Sequence, residues 1–134
     1  MTAFFDTNIL VYTVTKDPRK TRAREVLSSG GVVSAQILNE FANVAHKKLR
    51  HGWREIEQAI DDFVEAFDQV LALTLDTHRQ ALVLARDHGL SFYDALIVAS
   101  ALEAGCDTLY TEDMQHGRVF RGLTIRNPFR QAEP

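Results

Sequence analysis

The chain has 134 residues, a formal net charge of −3 and 46% hydrophobic residues. This length fits one domain, residues 1–134, with enough apolar residues to bury a core. The net charge argues against a uniformly basic nucleic-acid binder, and no apolar run approaches the ~20 residues that a membrane-spanning helix needs. The single cysteine, Cys106, cannot form an internal disulfide, and the N-terminus lacks the features of a secretory signal. We therefore expect a cytoplasmic protein without a membrane partner.

Strands alternate with helices along the sequence. In chain order the pattern predicts a strand at 3–5, helices at 8–13 and 18–27, a strand at 32–34, helices at 35–50 and 54–67, a strand at 70–73, helices at 76–88 and 91–104, and strands at 108–111 and 123–125. This alternation predicts an α/β fold with a parallel or mostly parallel sheet. Ligands of open α/β sheets collect at the carboxyl ends of the strands.

Three local signals refine these elements. Pro18 is expected at the first position of the second helix, and Asp76 is expected to cap the helix that it begins. Trp53 is expected to be a core or dimer-face anchor rather than a base-stacking platform. Basic residues cluster at 16–24, 47–54 and 118–130; they predict either a local positive surface or ordinary solvated helix faces.

Acidic residues follow two of the predicted strands. Asp6 comes directly after the first strand, and Glu112 and Asp113 come after the strand that ends at Thr111. We favour Asp113 over Glu112 as the residue that reaches a site, because the alternation of the strand continues from Thr111 to Asp113. An N-cap role for Asp6 and a turn role for Asp113 are the structural alternatives.

Two further acids lie on predicted helices. Glu40 shares one helical face with Ile37 and Phe41, so it interrupts an apolar stripe; the alternative is a stripe-edge acid that reaches water. Asp94 lies in a helix that is apolar all round and therefore expected to be buried. The pair Ser91 and Asp94 also fits a capping box, which would be a structural reason for this acid.

Carboxylates in such places need a cation to neutralise them. A site with only oxygen ligands suits Mg²⁺ or Mn²⁺. The predicted metal-binding and catalytic residues are Asp6, Glu40, Asp94 and Asp113. The predicted supporting groups, which would orient a carboxylate or a bound water, are Thr7, Asn8 and Thr111.

With these residues in place, the chain resembles the PIN-domain ribonucleases over nearly its whole length. Four motifs carry the resemblance: Phe5-Asp6-Thr7-Asn8, Asn39-Glu40-Phe41, Ser91-Phe92-Tyr93-Asp94-Ala95-Leu96-Ile97 and Leu109-Tyr110-Thr111-Glu112-Asp113. In size the chain is most similar to the VapC toxins of VapBC-type toxin–antitoxin pairs. Met114-Gln115-His116-Gly117 stands where this family usually has a second acid and an aromatic residue. Whether Glu112, Asp113 or His116 completes the site therefore stays open.

The resemblance implies a three-layer α/β/α fold around a mostly parallel sheet, a homodimer and a cognate antitoxin. It also implies a metal-dependent endoribonuclease that hydrolyses RNA phosphodiester bonds, with Asp6, Glu40, Asp94 and Asp113 as its acidic quartet. The basic clusters are then candidates for the rim that binds the RNA backbone.

Two other functions stay open on the sequence. One is an RNA- or protein-binding module with a relict metal site. The other is an aspartate-nucleophile phosphatase in which Asp6 attacks phosphorus. Such phosphatases commonly need a second acid two residues later, where this chain has Asn8, and a lysine near the phosphate.

Overall fold

The computed structural model of the chain describes residues 2–130. The elements in that range are β1 (Ala3–Phe5), α1 (Thr7–Thr13), α2 (Lys20–Leu27), β2 (Val32–Ser34), α3 (Ala35–Lys47), α4 (Trp53–Ala66), β3 (Gln69–Leu71), α5 (Leu75–His88), α6 (Phe92–Glu103), β4 (Thr108–Tyr110), β5 (Val119–Phe120) and β6 (Leu123–Arg126). No helix in this range is both long and apolar enough to cross a bilayer.

The strands form one sheet in the order β3-β2-β1-β4-β6-β5. Neighbouring strands run parallel except for β5 and β6, which are antiparallel. The central strand β1 is fully buried, with Phe4 and Phe5 inaccessible to solvent. Helices flank the sheet, which confirms the predicted α/β/α fold with a mostly parallel sheet.

The register of β1 and β4 brings their carboxyl ends together. Phe5 pairs with Tyr110, and the N–H of Asp6 donates to the carbonyl of Tyr110 at 3.0 Å. The residues that follow these strands, Asp6 and Thr111, therefore begin side by side at one edge of the sheet. This is the edge at which parallel α/β sheets bind their ligands.

Helix α6 supplies much of the core. Its residues from Ala95 to Ala101 are all buried, as the apolar sequence predicts. The Oγ of Ser91 caps the helix by accepting from the backbone N–H of Asp94 at 3.3 Å. The Ser91 half of the predicted capping box is thus present, whereas no bond from the Ser91 N–H to the Asp94 carboxylate is found within residues 2–130.

Two residues, Pro18 and Asp76, do not have the roles that were predicted for them at helix starts. Helix α2 begins at Lys20, not at Pro18, because the carboxylate of Asp17 holds the backbone N–H of Arg19 at 2.8 Å in a turn. Helix α5 is capped by Thr74 rather than by Asp76, since the Thr74 hydroxyl accepts from the N–H of Thr77 at 3.2 Å.

The structure also adds strand β5, which the sequence pattern did not predict. It pairs with β6 across a hairpin turn at Arg121 and Gly122. Both residues have positive φ, 48° and 87°, as expected of a tight turn that matches strand twist. Only two residues form β5, so it shows no alternating pattern.

Candidate active site

An open cleft of about 460 Å³ lies beside the carboxyl ends of β1 and β4. It contains three of the predicted site acids, Asp6, Glu40 and Asp113. The residues that line it are Asp6, Thr7, Asn8, Val11, Tyr12, Glu40, Asn43, Val44, Lys48, Leu49 and Asp113. The cleft thus joins residues that lie more than one hundred positions apart in the chain.

Asp6 lies at the base of this group and is only 4% exposed. Its Oδ1 accepts from the backbone N–H of Thr7 at 2.7 Å, and its Oδ2 accepts from the hydroxyl of Thr111 at 2.7 Å. It also caps α1, so the N-cap role considered from the sequence coexists with its place in the cleft. Both oxygens therefore have fixed directions.

Burial raises the pKa of Asp6 from 3.8 to about 6. The hydrogen bonds from Thr111 and Thr7 act in the opposite direction, because they favour the carboxylate. The negative charges of Asp113 and Glu40 raise the pKa a little further. These three acids therefore interact electrostatically, as a cation-binding group would.

Threonine hydroxyls connect Asp6 to the other two acids. The hydroxyl of Thr111, which donates to Asp6, also accepts from the backbone N–H of Asp113 at 3.1 Å. The hydroxyl of Thr7 donates to Oε2 of Glu40 at 2.6 Å. The predicted supporting residues therefore contact the predicted acids.

Glu40 reaches the cleft from the half-buried edge of α3. Its second oxygen, Oε1, accepts from the side-chain amide of Gln36 at 3.0 Å. Gln36 lies one helical turn before Glu40, so this contact could have been found from the i, i+4 spacing. Glu40 is therefore held by one residue on its own helix and by Thr7 of α1.

Asn8 carries the one buried side-chain polar atom without a hydrogen-bond partner in the described part of the chain. Its amide nitrogen donates to Asp113 at 3.0 Å and lies 3.5 Å from Oδ2 of Asp6. Its Oδ1 accepts nothing. A buried acceptor of this kind lacks a hydrogen-bond donor or a cation, and it belongs to a residue whose amide nitrogen contacts two acids of the cleft.

The polar lining of the cleft suits a hard divalent cation. Carboxylate, hydroxyl and amide oxygens are the ligands that Mg²⁺ and Mn²⁺ prefer, and Asn8 adds an unpartnered oxygen. Among residues 2–130, however, no group of three or more Asp, Glu, His or Cys is already arranged to hold a metal ion. The residues thus fit the predicted ion by the chemistry of their oxygen atoms.

Asp94, the fourth predicted acid, is not among the residues that line the cleft. It lies half-buried in the first turn of α6. Its assignment as a metal ligand therefore depends on the sequence motif, whereas Asp6, Glu40 and Asp113 also share a cleft.

The structure gives different surroundings to the three candidates for the last position of the site, which are Glu112, Asp113 and His116. Asp113 lines the cleft. The carboxylate of Glu112 instead accepts from the hydroxyl of Tyr12 and from the guanidinium of Arg19. The ring of His116 points elsewhere, since its Nδ1 accepts from the N–H of Asn127 at 3.0 Å.

Sequence reasoning missed several groups around the cleft. Tyr12 lines it and binds Glu112, while Arg19 lies over the Tyr12 ring at 4.3 Å and binds both Asp17 and Glu112. Lys48 is the only cation among the residues that line the cleft in the described range. The sequence shows that Lys48 belongs to a basic cluster, but nothing in that cluster distinguishes Lys48 from Lys47.

Known structures with a similar fold include several toxins and toxin–antitoxin complexes. VapC20 of Mycobacterium tuberculosis, a toxin that cleaves the sarcin–ricin loop, matches with a TM-score of 0.69 and 22% identity over 84% of this chain and 92% of VapC20. A toxin–antitoxin complex from Klebsiella pneumoniae matches with a TM-score of 0.71 and 22% identity over 96% of this chain and 98% of the other.

A third similar structure is VapBC2 of Rickettsia felis bound to a DNA fragment from its promoter. Its TM-score is 0.67, with 20% identity over 95% of this chain and 98% of the other. No protein of curated function matches the chain in sequence. The family model of the PIN domain matches residues 3–121. The chain therefore belongs to the PIN-domain family.

Proposed function

We propose that this chain is a metal-dependent endoribonuclease and the toxin of a type II toxin–antitoxin pair. The observation that carries the proposal is the convergence of Asp6, Glu40 and Asp113 in one open cleft of a PIN domain. The acids that would hold Mg²⁺ or Mn²⁺ are Asp6, Glu40 and Asp113, with Asp94 added on its sequence motif. When bound, such an ion would neutralise phosphate charge and lower the pKa of a water molecule.

The residues of the chain would prepare the cleft for phosphodiester hydrolysis. Thr7 and Thr111 fix the direction of the Asp6 oxygens, and with a pKa of about 6 Asp6 is mostly ionised at neutral pH. The amide of Asn8 holds Asp113. The Oδ1 of Asn8 is buried without a partner, so it would accept a hydrogen bond from a water molecule only after its side chain moves.

Similar structures support the proposed partners. VapC20 cleaves an RNA loop, and the Klebsiella and Rickettsia structures contain a toxin with its antitoxin. We therefore propose RNA as the substrate and a cognate antitoxin as the protein partner. A homodimer and a cytoplasmic location, both expected at the level of the sequence, complete the proposal. Cleavage of unstacked RNA, such as a loop, fits the open shape of the cleft.

The test is cleavage of end-labelled cellular RNA by the purified chain freed of any bound antitoxin. Reactions with Mn²⁺ or Mg²⁺ are compared with reactions in EDTA and with the Asp6→Asn variant. Asp61→Asn, which removes an exposed acid of α4, controls for the change in net charge. We expect discrete fragments from the wild type and Asp61→Asn with metal, and intact RNA in the other lanes.

One observation favours a second candidate, a PIN module that binds RNA without cleaving it. No cluster of three metal-binding side chains is preformed within residues 2–130. Intact RNA in every lane, from folded protein shown to bind both RNA and metal, would support this candidate and reject the nuclease.

A further inference from the structure

The end of α3 and the start of α4 form a corner at the border of the cleft. Lys48 and Leu49, the first residues after α3, line the cleft. Trp53 is the first residue of α4. Trp53 lies five positions after Lys48, so their Cα atoms are at most about 18 Å apart. A chain-like ligand that leaves the cleft past Lys48 can therefore reach Trp53.

Lys48 is a positively charged residue of this corner, and it also lines the cleft. It is exposed, and no carboxylate within residues 2–130 forms an ion pair with it. Three carboxylates in the same cleft repel a polyanion, so a phosphate near them needs a cation close by. Lys48 is the lining residue that can supply it.

Trp53 gives the corner an exposed aromatic face. Trp53 is 59% exposed, so of the two roles expected from the sequence the core role is wrong and the dimer-face role stays a prediction. The indole stacks on His46 with the ring centres 3.8 Å apart and the planes at 19°. His46 thus covers one face of the indole, and the exposed part of the indole is available to stack with another ring. Proteins bind single-stranded nucleic acids by stacking bases on such aromatic side chains.

Two further basic residues lie within three positions of Trp53 in the chain. Arg50 and Arg54 are exposed, and neither forms an ion pair with a described acid. Arg50 adopts a left-handed conformation with φ of 57°, which a glycine would adopt at lower cost. An exposed ring with unpaired cations close to it in the chain fits a polyanion with unstacked bases better than an apolar protein surface.

We propose that single-stranded RNA passes over this corner, with a backbone phosphate on Lys48 and an unstacked base on Trp53. The inference rests on the proposed function, because it extends the RNA from the cleft in which cleavage would occur. Its test requires RNA binding alone and can therefore fail or succeed independently of cleavage.

The test measures binding of a short, fluorescently labelled single-stranded RNA in EDTA over a series of salt concentrations. Lys48→Gln is expected to weaken binding about three- to tenfold and to reduce the salt slope by ~0.7, the contribution of one phosphate. Lys47→Gln removes the same charge from the adjacent residue, which is exposed but does not line the cleft. It is expected to have a clearly smaller effect.

Trp53 is tested with two variants that separate stacking from apolar bulk. Trp53→Leu keeps an apolar side chain without a flat ring and is expected to weaken binding at least about fivefold. Trp53→Phe keeps a ring and is expected to retain most of the affinity. Circular dichroism of each variant verifies that it is folded.

Two results would overturn the inference. One is an equal loss of RNA affinity in the two lysine variants, and the other is unchanged RNA binding by Trp53→Leu. If Trp53→Leu binds RNA normally but loses self-association, Trp53 is a protein contact. If the wild type binds RNA through Lys48 and Trp53 but does not cleave it with metal, the nuclease proposal fails and this inference stands.

Discussion

Asp6 destabilises the metal-free protein when it is ionised. Burial raises its pKa to about 6, against 3.8 for the unperturbed side chain. Between about pH 4 and pH 6 the folded protein therefore holds a proton that the unfolded chain has released. The contribution of Asp6 to the free energy of unfolding consequently falls as pH rises through this window. Above it the penalty is on the order of 2–3 kcal/mol.

We expect Asp6→Asn to be more stable than the wild type at pH 7 in EDTA. The gain should be roughly 1–2 kcal/mol, because the amide avoids the buried charge but keeps only part of the hydrogen bonding to Thr7 and Thr111. The measurement is urea unfolding at a series of pH values, where the difference should shrink towards pH 4. Asp61→Asn should show no such trend. A gain for Asp6→Asn that does not vary with pH would reject buried charge as its cause.

Glu112 and Asp113 are adjacent in sequence but have different partners. Glu112 binds Tyr12 and Arg19, whereas Asp113 lines the cleft and binds Asn8. We expect Asp113→Asn to lower metal-dependent RNA cleavage at least about hundredfold, because it removes an anionic ligand. Glu112→Gln should change cleavage only severalfold and make the protein slightly less stable. Equal losses of cleavage in the two variants, measured as initial rates on folded protein, would contradict this division.

Sequence reasoning could place Asp6 and Asp113 at one edge of the sheet, because parallel strands share that edge. It could find Glu40 because an acid interrupts an apolar helical face. It could not assign Glu112 and Asp113 with certainty, since a turn has no periodicity to fix side-chain direction. The role of Glu112 depends on Arg19, which lies 93 positions away in the chain.

At the scale of elements, the approach of β1 to the start of β2 depends on Gly31. This residue has φ of 151°, and a Cβ there would lie 2.7 Å from the carbonyl oxygen of Ala3 and would collide with the ring of Phe5. Phe5 is fully buried and stacks on Tyr110. A side chain at Gly31 would therefore disturb β1, the strand that Asp6 directly follows.

We expect Gly31→Ala to lower the free energy of unfolding by about 3 kcal/mol or more, measured by urea unfolding. Gly122→Ala is the matched control, because Gly122 has φ of 87° but open space at its Cβ position. It isolates the conformational cost of an L-residue at positive φ, about 1–2 kcal/mol. Equal losses in the two variants would mean that the collision with Phe5 is relieved at little cost.

The elements that sequence predicted well are those with a long local pattern. Helix α6 is apolar over several turns, and α3 carries a clear apolar stripe. Strand β5 has only two residues and exists because it pairs with β6. The start of α2 is set by the turn that Asp17 forms with Arg19. In both cases a specific contact overrides a general residue preference.

At the scale of the whole molecule, negative charge in the cleft and positive charge at its border have different roles. The cleft contains Asp6, Glu40 and Asp113, which repel one another without a cation. Lys48 and its basic neighbours lie at the border. The overall net charge of −3 therefore does not describe the local electrostatic potential near the cleft, which an approaching RNA strand experiences.

A divalent ion that binds only the folded protein should raise its melting temperature. At a Mn²⁺ concentration tenfold above the dissociation constant, the gain is about 1.4 kcal/mol. This corresponds to a rise of roughly 3–5 °C for a protein of this size. We expect the rise in the wild type and in Asp61→Asn, reversal by EDTA, and no rise in Asp6→Asn, because this variant lacks the buried anionic ligand.

The same measurement of melting temperature with Mn²⁺ is made on Asp94→Asn, which changes the one predicted acid that does not line the cleft. If Asp94 joins the ligands when the ion binds, its variant should show a clearly smaller rise in melting temperature than the wild type. A full rise would restrict the ligands to the cleft acids and give Asp94 only its structural place in the first turn of α6. Because melting temperature reports binding without catalysis, this result holds whether or not the protein cleaves the RNA supplied. A wild-type melting temperature unchanged by Mn²⁺ and Mg²⁺ would contradict the metal site itself.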